Sequence, residues 1–247
     1  MKNDILIEIC CGGLEDAVEA KKGGADRIEL NSALFLGGLT PSIGALIETK
    51  KAINIPVMVM IRPRPGGFCY SEYDILAMEK DIQLALEYGA DGVAFGVLNQ
   101  DGTVNQNACK RLLKHTGNAE VVFHRAFDVT PNPIEALDTL IDLGFKRVLT
   151  SGQKTNALEG AALLKELVAH GEGHIEILPG GGIRQNNAMD ICKYTGCNQI
   201  HMGPLMLKKD TSTANRPDIH FYGKSIPSED SYQIVDSNVI KDVRRML

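Results

Sequence analysis

The chain has 247 residues, a formal net charge of −5 and six cysteines scattered without a disulfide-framework or zinc-finger spacing. That charge argues against a nucleic-acid partner or an anionic membrane surface, and no apolar run approaches a membrane span. No basic, apolar and small-residue leader is recognisable, so the expectation is a cytoplasmic protein with reduced thiols.

Taken in chain order, alternating or continuous aliphatic runs predict strands over 4–10, 26–31, 56–62, 92–97, 120–124, 146–151, 174–179 and 198–203. Between them, helical spacing predicts helices near 14–22, 41–52, 73–88, 105–115, 133–143, 156–169 and 186–195. Residues 204–235 are polar and hold Pro204, Pro217 and Pro227; they read as an irregular excursion. Such a segment either covers a site or docks a second subunit, making a homodimer. Asp236-Ser-Asn then opens a last helix over 236–247, with Val239, Ile240, Val243 and Leu247 at helical spacing.

Four glycines punctuate this order. Gly24, Gly89, Gly144 and Gly196 each stand four positions before an Ile or Val that opens a strand: Ile28, Val93, Val148 and Ile200. A glycine past a helix end takes the left-handed conformation that closes the helix and feeds the next strand. The intervals leave room for two strand–helix units each. Eight such units make an α/β chain with a (β/α)8 TIM barrel as a single domain over 1–247, whose functional end is the carboxyl end of the strands.

Parity within the strands separates two faces. Ile5, Ile7, Ile9, Ile28, Leu30, Val57, Val59, Ile61, Val93 and Phe95 belong to an apolar face under the helices. The opposite, barrel-lining face carries Glu8, Cys10, Arg27, Glu29, Asn31, Met58, Met60, Arg62, His124, Arg147, Ser151, Glu176 and His201. Barrel interiors are ordinarily filled by branched aliphatic residues, and unpaired buried charge is expensive. The interior must therefore hold paired charges, ordered water or a ligand. Arg27, Arg147 and Glu176 sit low in their strands and read as structural ion pairs.

Near the carboxyl ends, Glu8 and Glu29 fall on adjacent strands about 4.8 Å apart. Two carboxylates so close share a proton or hold a cation, and Arg62 on the next strand is placed to neutralise them. The competing reading is a satisfied ion-pair network. His124-Arg125-Ala-Phe-Asp128 sets a histidine on the inner face with a carboxylate four residues on, a general acid or base with its orienter, or else a structural histidine. Catalytic candidates are thus Glu8, Glu29, Arg62, His124 and Asp128.

Gly180-Gly181-Gly182-Ile-Arg184 follows the seventh strand, where this fold frequently binds phosphate. Glycines let main-chain N–H groups approach an anion, and Arg184 adds charge. Arg64 in the loop Arg62-Pro-Arg64-Pro-Gly-Gly-Phe-Cys-Tyr70 is a candidate clamp. Arg64, Arg125, Ser151, Gly180, Gly181, Gly182, Arg184 and His201 complete the ligand-binding candidates for a small anionic molecule. No dinucleotide or Walker loop is present, so no nucleotide cofactor is expected.

Several motifs together resemble the CutC copper-homeostasis family: Glu8-Ile-Cys10, Gly24-Ala-Asp-Arg-Ile-Glu-Leu30, Met60-Ile-Arg-Pro-Arg64, Phe123-His-Arg-Ala-Phe-Asp128 and Pro179-Gly-Gly-Gly-Ile-Arg184. The resemblance implies a (β/α)8 barrel, a cytoplasmic location and copper handling, with Cys10 as ligand to monovalent copper. Members proposed to bind copper pair that cysteine with a second one directly after Arg-Ile-Glu-Leu. Here that position is Asn31.

Overall fold

The computed structural model describes residues 5–221 and 229–247. Eight short parallel strands alternate with helices in the order β1 (Leu6–Cys11), α1 (Leu14–Gly23), β2 (Arg27–Leu30), α2 (Ile43–Ala52), β3 (Val57–Met60) and α3 (Glu72–Glu87). The series continues with β4 (Gly92–Phe95), α4 (Gln106–Leu113), β5 (Glu120–Phe123), α5 (Pro133–Leu143), β6 (Arg147–Thr150) and α6 (Ala161–His170). It closes with β7 (Glu176–Pro179), α7 (Ala188–Thr195) and β8 (Gln199–Met202), then β9 (Leu205–Lys209), β10 (Ser231–Val235) and α8 (Ser237–Met246).

The sheet runs β7-β6-β5-β4-β3-β2-β1-β8, and β1 pairs in parallel with both β2 and β8. The sheet thus curls into a nearly closed barrel. At the β7–β8 seam a side chain bridges the strands, Gln199 Nε2 donating to Glu176 Oε2 at 3.1 Å. The four punctuating glycines take the expected left-handed geometry, with φ of 93° at Gly24, 91° at Gly89, 83° at Gly144 and 77° at Gly196.

Parity partitions the core as anticipated. Ile7, Ile9, Ile28, Leu30, Val57, Val59, Val93 and Phe95 pack under the helices, while Met58, Ala94, Val122, Leu149 and Leu178 form a separate band inside the barrel. Beneath that band Arg147 is held by Glu176 at 2.8 Å and by Glu120 at 3.2 Å, the ion-pair role expected of it. The cavity described below lies above it.

Three expectations need correction. Most strands are four residues long, because the flanking residues leave the ladder to build loops. The helix expected from 156 starts at Ala161: the Gly152 and Gly160 backbones pack so closely that a Cβ on Gly160 would lie 1.9 Å from the Ser151 carbonyl oxygen. The excursion over 204–235 is not wholly irregular. Its ends form the antiparallel pair β9–β10, which docks on α1 through Lys208 to Glu15 at 2.6 Å and Val235 N–H to Asp16 at 2.8 Å. The prolines between hid two short apolar runs. Residues 1–4, with the predicted start of the first strand at Asp4, and 222–228, with Pro227, lie outside the described residues. Asp236 caps α8 as anticipated, accepting from Asn238 N–H at 2.9 Å. Among the described residues no helix is long and apolar enough to cross a membrane.

Candidate functional site

A cavity of about 640 Å³ opens at the carboxyl end of the strands. Cys10, Glu29, Asn31 and His201 line one side, Arg62, Phe68 and His124 another, and Arg125, Asp128, Gly181, Gly182 and Arg184 a third. Glu8, Arg64, Ser151 and Gly180, also anticipated, lie outside this lining.

Register explains Glu8. Its Cα partners are Arg27 and His201, whereas Glu29 faces Cys10, so the two carboxylates belong to different layers of the barrel. Glu8 accepts from Arg27 Nε and from His201 Nδ1, the latter at 2.7 Å. Burial works against its charge, but these partners hold its carboxyl down to about 2. The Glu8–Glu29 pair is thereby replaced by a Glu8–His201–Glu29 series, His201 Nε2 standing 4.0 Å from Glu29 Oε2. Burial opposes the charge on His201 too; hydrogen bonds to Cys10 and Glu8 and the two carboxylates outweigh it and push its pKa well up. Burial raises both Glu29 and Cys10. Asn31 Nδ2 donates to Glu29 Oε2 at 3.0 Å and to Cys10 Sγ at 3.5 Å.

Arg62 does not neutralise the carboxylates. Its guanidinium donates to the carbonyls of Leu36 and Gly38 at 2.9 Å and Gly66 at 2.8 Å, and lies over the Phe68 ring at 5.4 Å. It clamps two loops together and borders the cavity with its Nε unpartnered among the described residues. Arg64 is spent on the Cys69 carbonyl of its own loop and on Asp74 in the first turn of α3.

Asp128 does not orient His124. It accepts from Arg125 Nε at 2.7 Å, from Thr150 Oγ1 at 2.5 Å and from Ser151 N–H, fixing Arg125 at the cavity edge. Ser151 serves the same end, its Oγ accepting from Arg125 Nη2 at 2.9 Å. His124 Nδ1 accepts from Ala126 N–H at 3.2 Å, which leaves Nε2 as the protonated nitrogen, buried and without a partner among the described residues. Burial first, and the Arg62 charge second, push its pKa down to about 3. His124 is therefore a neutral N–H donor rather than an acid–base cycling group; a neutral imidazole of this kind polarises a ligand oxygen.

At the third side, Gly181 and Gly182 have φ of 91° and 70°, conformations that favour glycine. Their N–H groups find no acceptor among the described residues. Helix α7 begins only at Ala188, so these amides and Arg184, rather than a helix end, supply the positive potential.

Comparison with known proteins identifies the family of the chain. The CutC family model covers residues 5–205. A protein of Treponema denticola named family protein CutC is 50% identical over the full length of both chains. The chain belongs to the CutC family. The human copper homeostasis protein cutC homolog is 48% identical over 81% of this chain and 73% of its own length. A crystal structure under the name CutC, from Streptococcus agalactiae, superposes with a TM-score of 0.77 at 37% identity, covering 80% of this chain and 97% of that one.

The family name invites a test of the site against monovalent copper, which selects soft thiolate and thioether ligands. Cys10, Glu29 and His201 present ligand atoms all within 4.8 Å of one another. That set offers one sulfur, one nitrogen and one oxygen, and the second expected thiol is the amide of Asn31. Met60 borders the cavity, but the cluster itself is a poor match to a soft monovalent ion.

These titrations predict an acid-sensitive fold. His124 has a depressed pKa, so its contribution is full above the unfolded value near 6.5 and is lost as pH falls toward 3. Glu8 adds a second loss between the ordinary carboxyl value and about 2. The thermal midpoint should decline steadily below pH 6.5, by up to about 1.4 kcal/mol of stability per pH unit from His124 alone. His124→Gln should flatten the upper part of that decline; identical slopes in both proteins would refute the assignment.

Proposed function

We propose that the protein serves copper homeostasis, the role in its human relative's name, as a cytoplasmic barrel that binds a small anionic, phosphorylated metabolite. The six free cysteines fit a reducing compartment. One observation carries the reading. A cavity of about 640 Å³ is bordered by donors without partners among the described residues, His124 Nε2, Arg62 Nε and the Gly181 and Gly182 amides, with Arg125 and Arg184 beside them. A bare metal ion would leave the buried His124 Nε2 and Arg62 Nε unsatisfied, and unpaired buried donors cost about 1–3 kcal/mol each, whereas the half-buried Gly181 and exposed Gly182 amides are open to an incoming ligand. An anion accepts from several at once. Its remainder would extend toward Glu29, Cys10 and His201, groups able to exchange protons with a bound molecule.

Inorganic phosphate is the probe. The thermal midpoint should rise with phosphate beyond a chloride control of matched ionic strength, because a ligand bound only to the folded state stabilises it. Arg184→Ala should weaken the effect roughly tenfold or more, from about 1.5 kcal/mol for one hydrogen bond to a charged group. A midpoint that ignores phosphate removes the reading.

A further inference from the structure

We infer that Cys10, Glu29 and His201 form a site for a borderline divalent cation of the zinc type, with one coordination position open to the cavity. The inference goes beyond the anion reading and does not depend on it. Its starting point is the mismatch with monovalent copper described above.

Spacing is the first support. A tetrahedral ion with bonds of about 2.3 Å to sulfur and 2.0–2.1 Å to nitrogen and oxygen sets S···O near 3.5 Å and N···O near 3.4 Å. Cys10 Sγ lies 3.9 Å and His201 Nε2 4.0 Å from Glu29 Oε2. Small side-chain rotations close those gaps. The His201–Glu29 distance is too long for a direct hydrogen bond and suits an ion held between the groups.

The second support is independent of the three ligands. His201 Nδ1 is bonded to Glu8 Oε1 at 2.7 Å, and Glu8 is itself fixed by Arg27. A carboxylate on the remote imidazole nitrogen keeps the proton on Nδ1 and directs Nε2, whose own proton a metal displaces, toward the site, the arrangement metal-binding histidines almost always show. Register makes this possible: Glu8 lies opposite His201 across β1 and β8, and Cys10 opposite Glu29 across β1 and β2.

Charge supplies the third. One thiolate and one carboxylate neutralise a divalent ion, so the buried site carries no net charge. Monovalent copper on the same ligands would leave a buried negative charge, which is costly without a partner. Mixed sulfur, nitrogen and oxygen donors also match borderline divalent metals better than a soft monovalent one. Three protein ligands with the fourth position facing a cavity is the pattern of a zinc that binds water or a ligand oxygen.

The test uses the full chain stripped with a chelator, in buffer free of phosphate, so that its outcome is independent of anion binding. Cobalt(II) is the spectroscopic probe and zinc(II) the competitor. One equivalent of cobalt should give a near-ultraviolet thiolate-to-metal absorption that zinc abolishes and Cys10→Ser lacks. Glu29→Gln should weaken zinc binding at least tenfold with the circular dichroism spectrum unchanged. If that variant misfolds, zinc-soaked wild-type crystals should show an anomalous peak between the three side chains. A wild-type titration without the thiolate absorption, an anomalous peak elsewhere, or zinc affinity indifferent to Glu29→Gln overturns the proposal.

Discussion

Glu8→Ala is expected to lower stability by about 3–5 kcal/mol, the loss typical when one partner of a buried ion pair is removed. Glu8 is 2% exposed and accepts from both Arg27 and His201. Its removal strips the Arg27 guanidinium and His201 Nδ1 of their shared buried carboxylate, with Gln199 Oε1 as the remaining acceptor for Arg27. Urea denaturation at pH 7 measures the loss. Glu8→Gln with Arg27→Met should recover much of it, because neutral groups of similar volume replace a buried pair at little cost. A loss under about 1 kcal/mol in Glu8→Ala would show that the pair is solvated and that the interior is not as dry as its burial indicates.

Arg62→Ala is the second substitution with a large expected effect, about 3 kcal/mol or more. Each hydrogen bond from a charged donor is worth about 1.5–3 kcal/mol, and Arg62 makes three to the carbonyls of Leu36, Gly38 and Gly66. Those bonds tie the loop after β2 to the loop after β3, and the stacked Phe68 carries the arrangement on to His124 at 5.0 Å. Arg62→Lys should rescue little, since a point charge cannot reproduce the planar fork. Limited proteolysis at residues 63–70 should become fast in both variants. Were Arg62 only a neutraliser of Glu29, stability would hold and proteolysis would not change.

Much of the candidate site is legible in the sequence because strand parity has a period of two residues. Cys10, Glu29, His124 and His201 follow from it as lining residues, and Gly181, Gly182 and Arg184 follow from the position of the glycine loop after β7. Pairings were not legible. Neighbouring barrel strands are staggered, so Glu8 meets Arg27 rather than Glu29. Arg62 and Asp128 find partners on loops remote in sequence, largely main-chain groups that side-chain type does not announce. The same stagger hid the Cys10–Glu29–His201 cluster, whose members are near neighbours only across β1, β2 and β8.

By itself the sequence determined the barrel, through four glycines that must turn left-handed, and the division of side chains between helix-covered and lining faces. Both are local properties of the chain, set by backbone conformation and the alternation of a strand. The tertiary structure alone decided which charges touch: Glu8 became the buttress of His201, His124 a neutral donor and Arg62 a clamp for loops. Those roles depend on register, burial and through-space distance, which arise only when strands far apart in the chain are brought edge to edge.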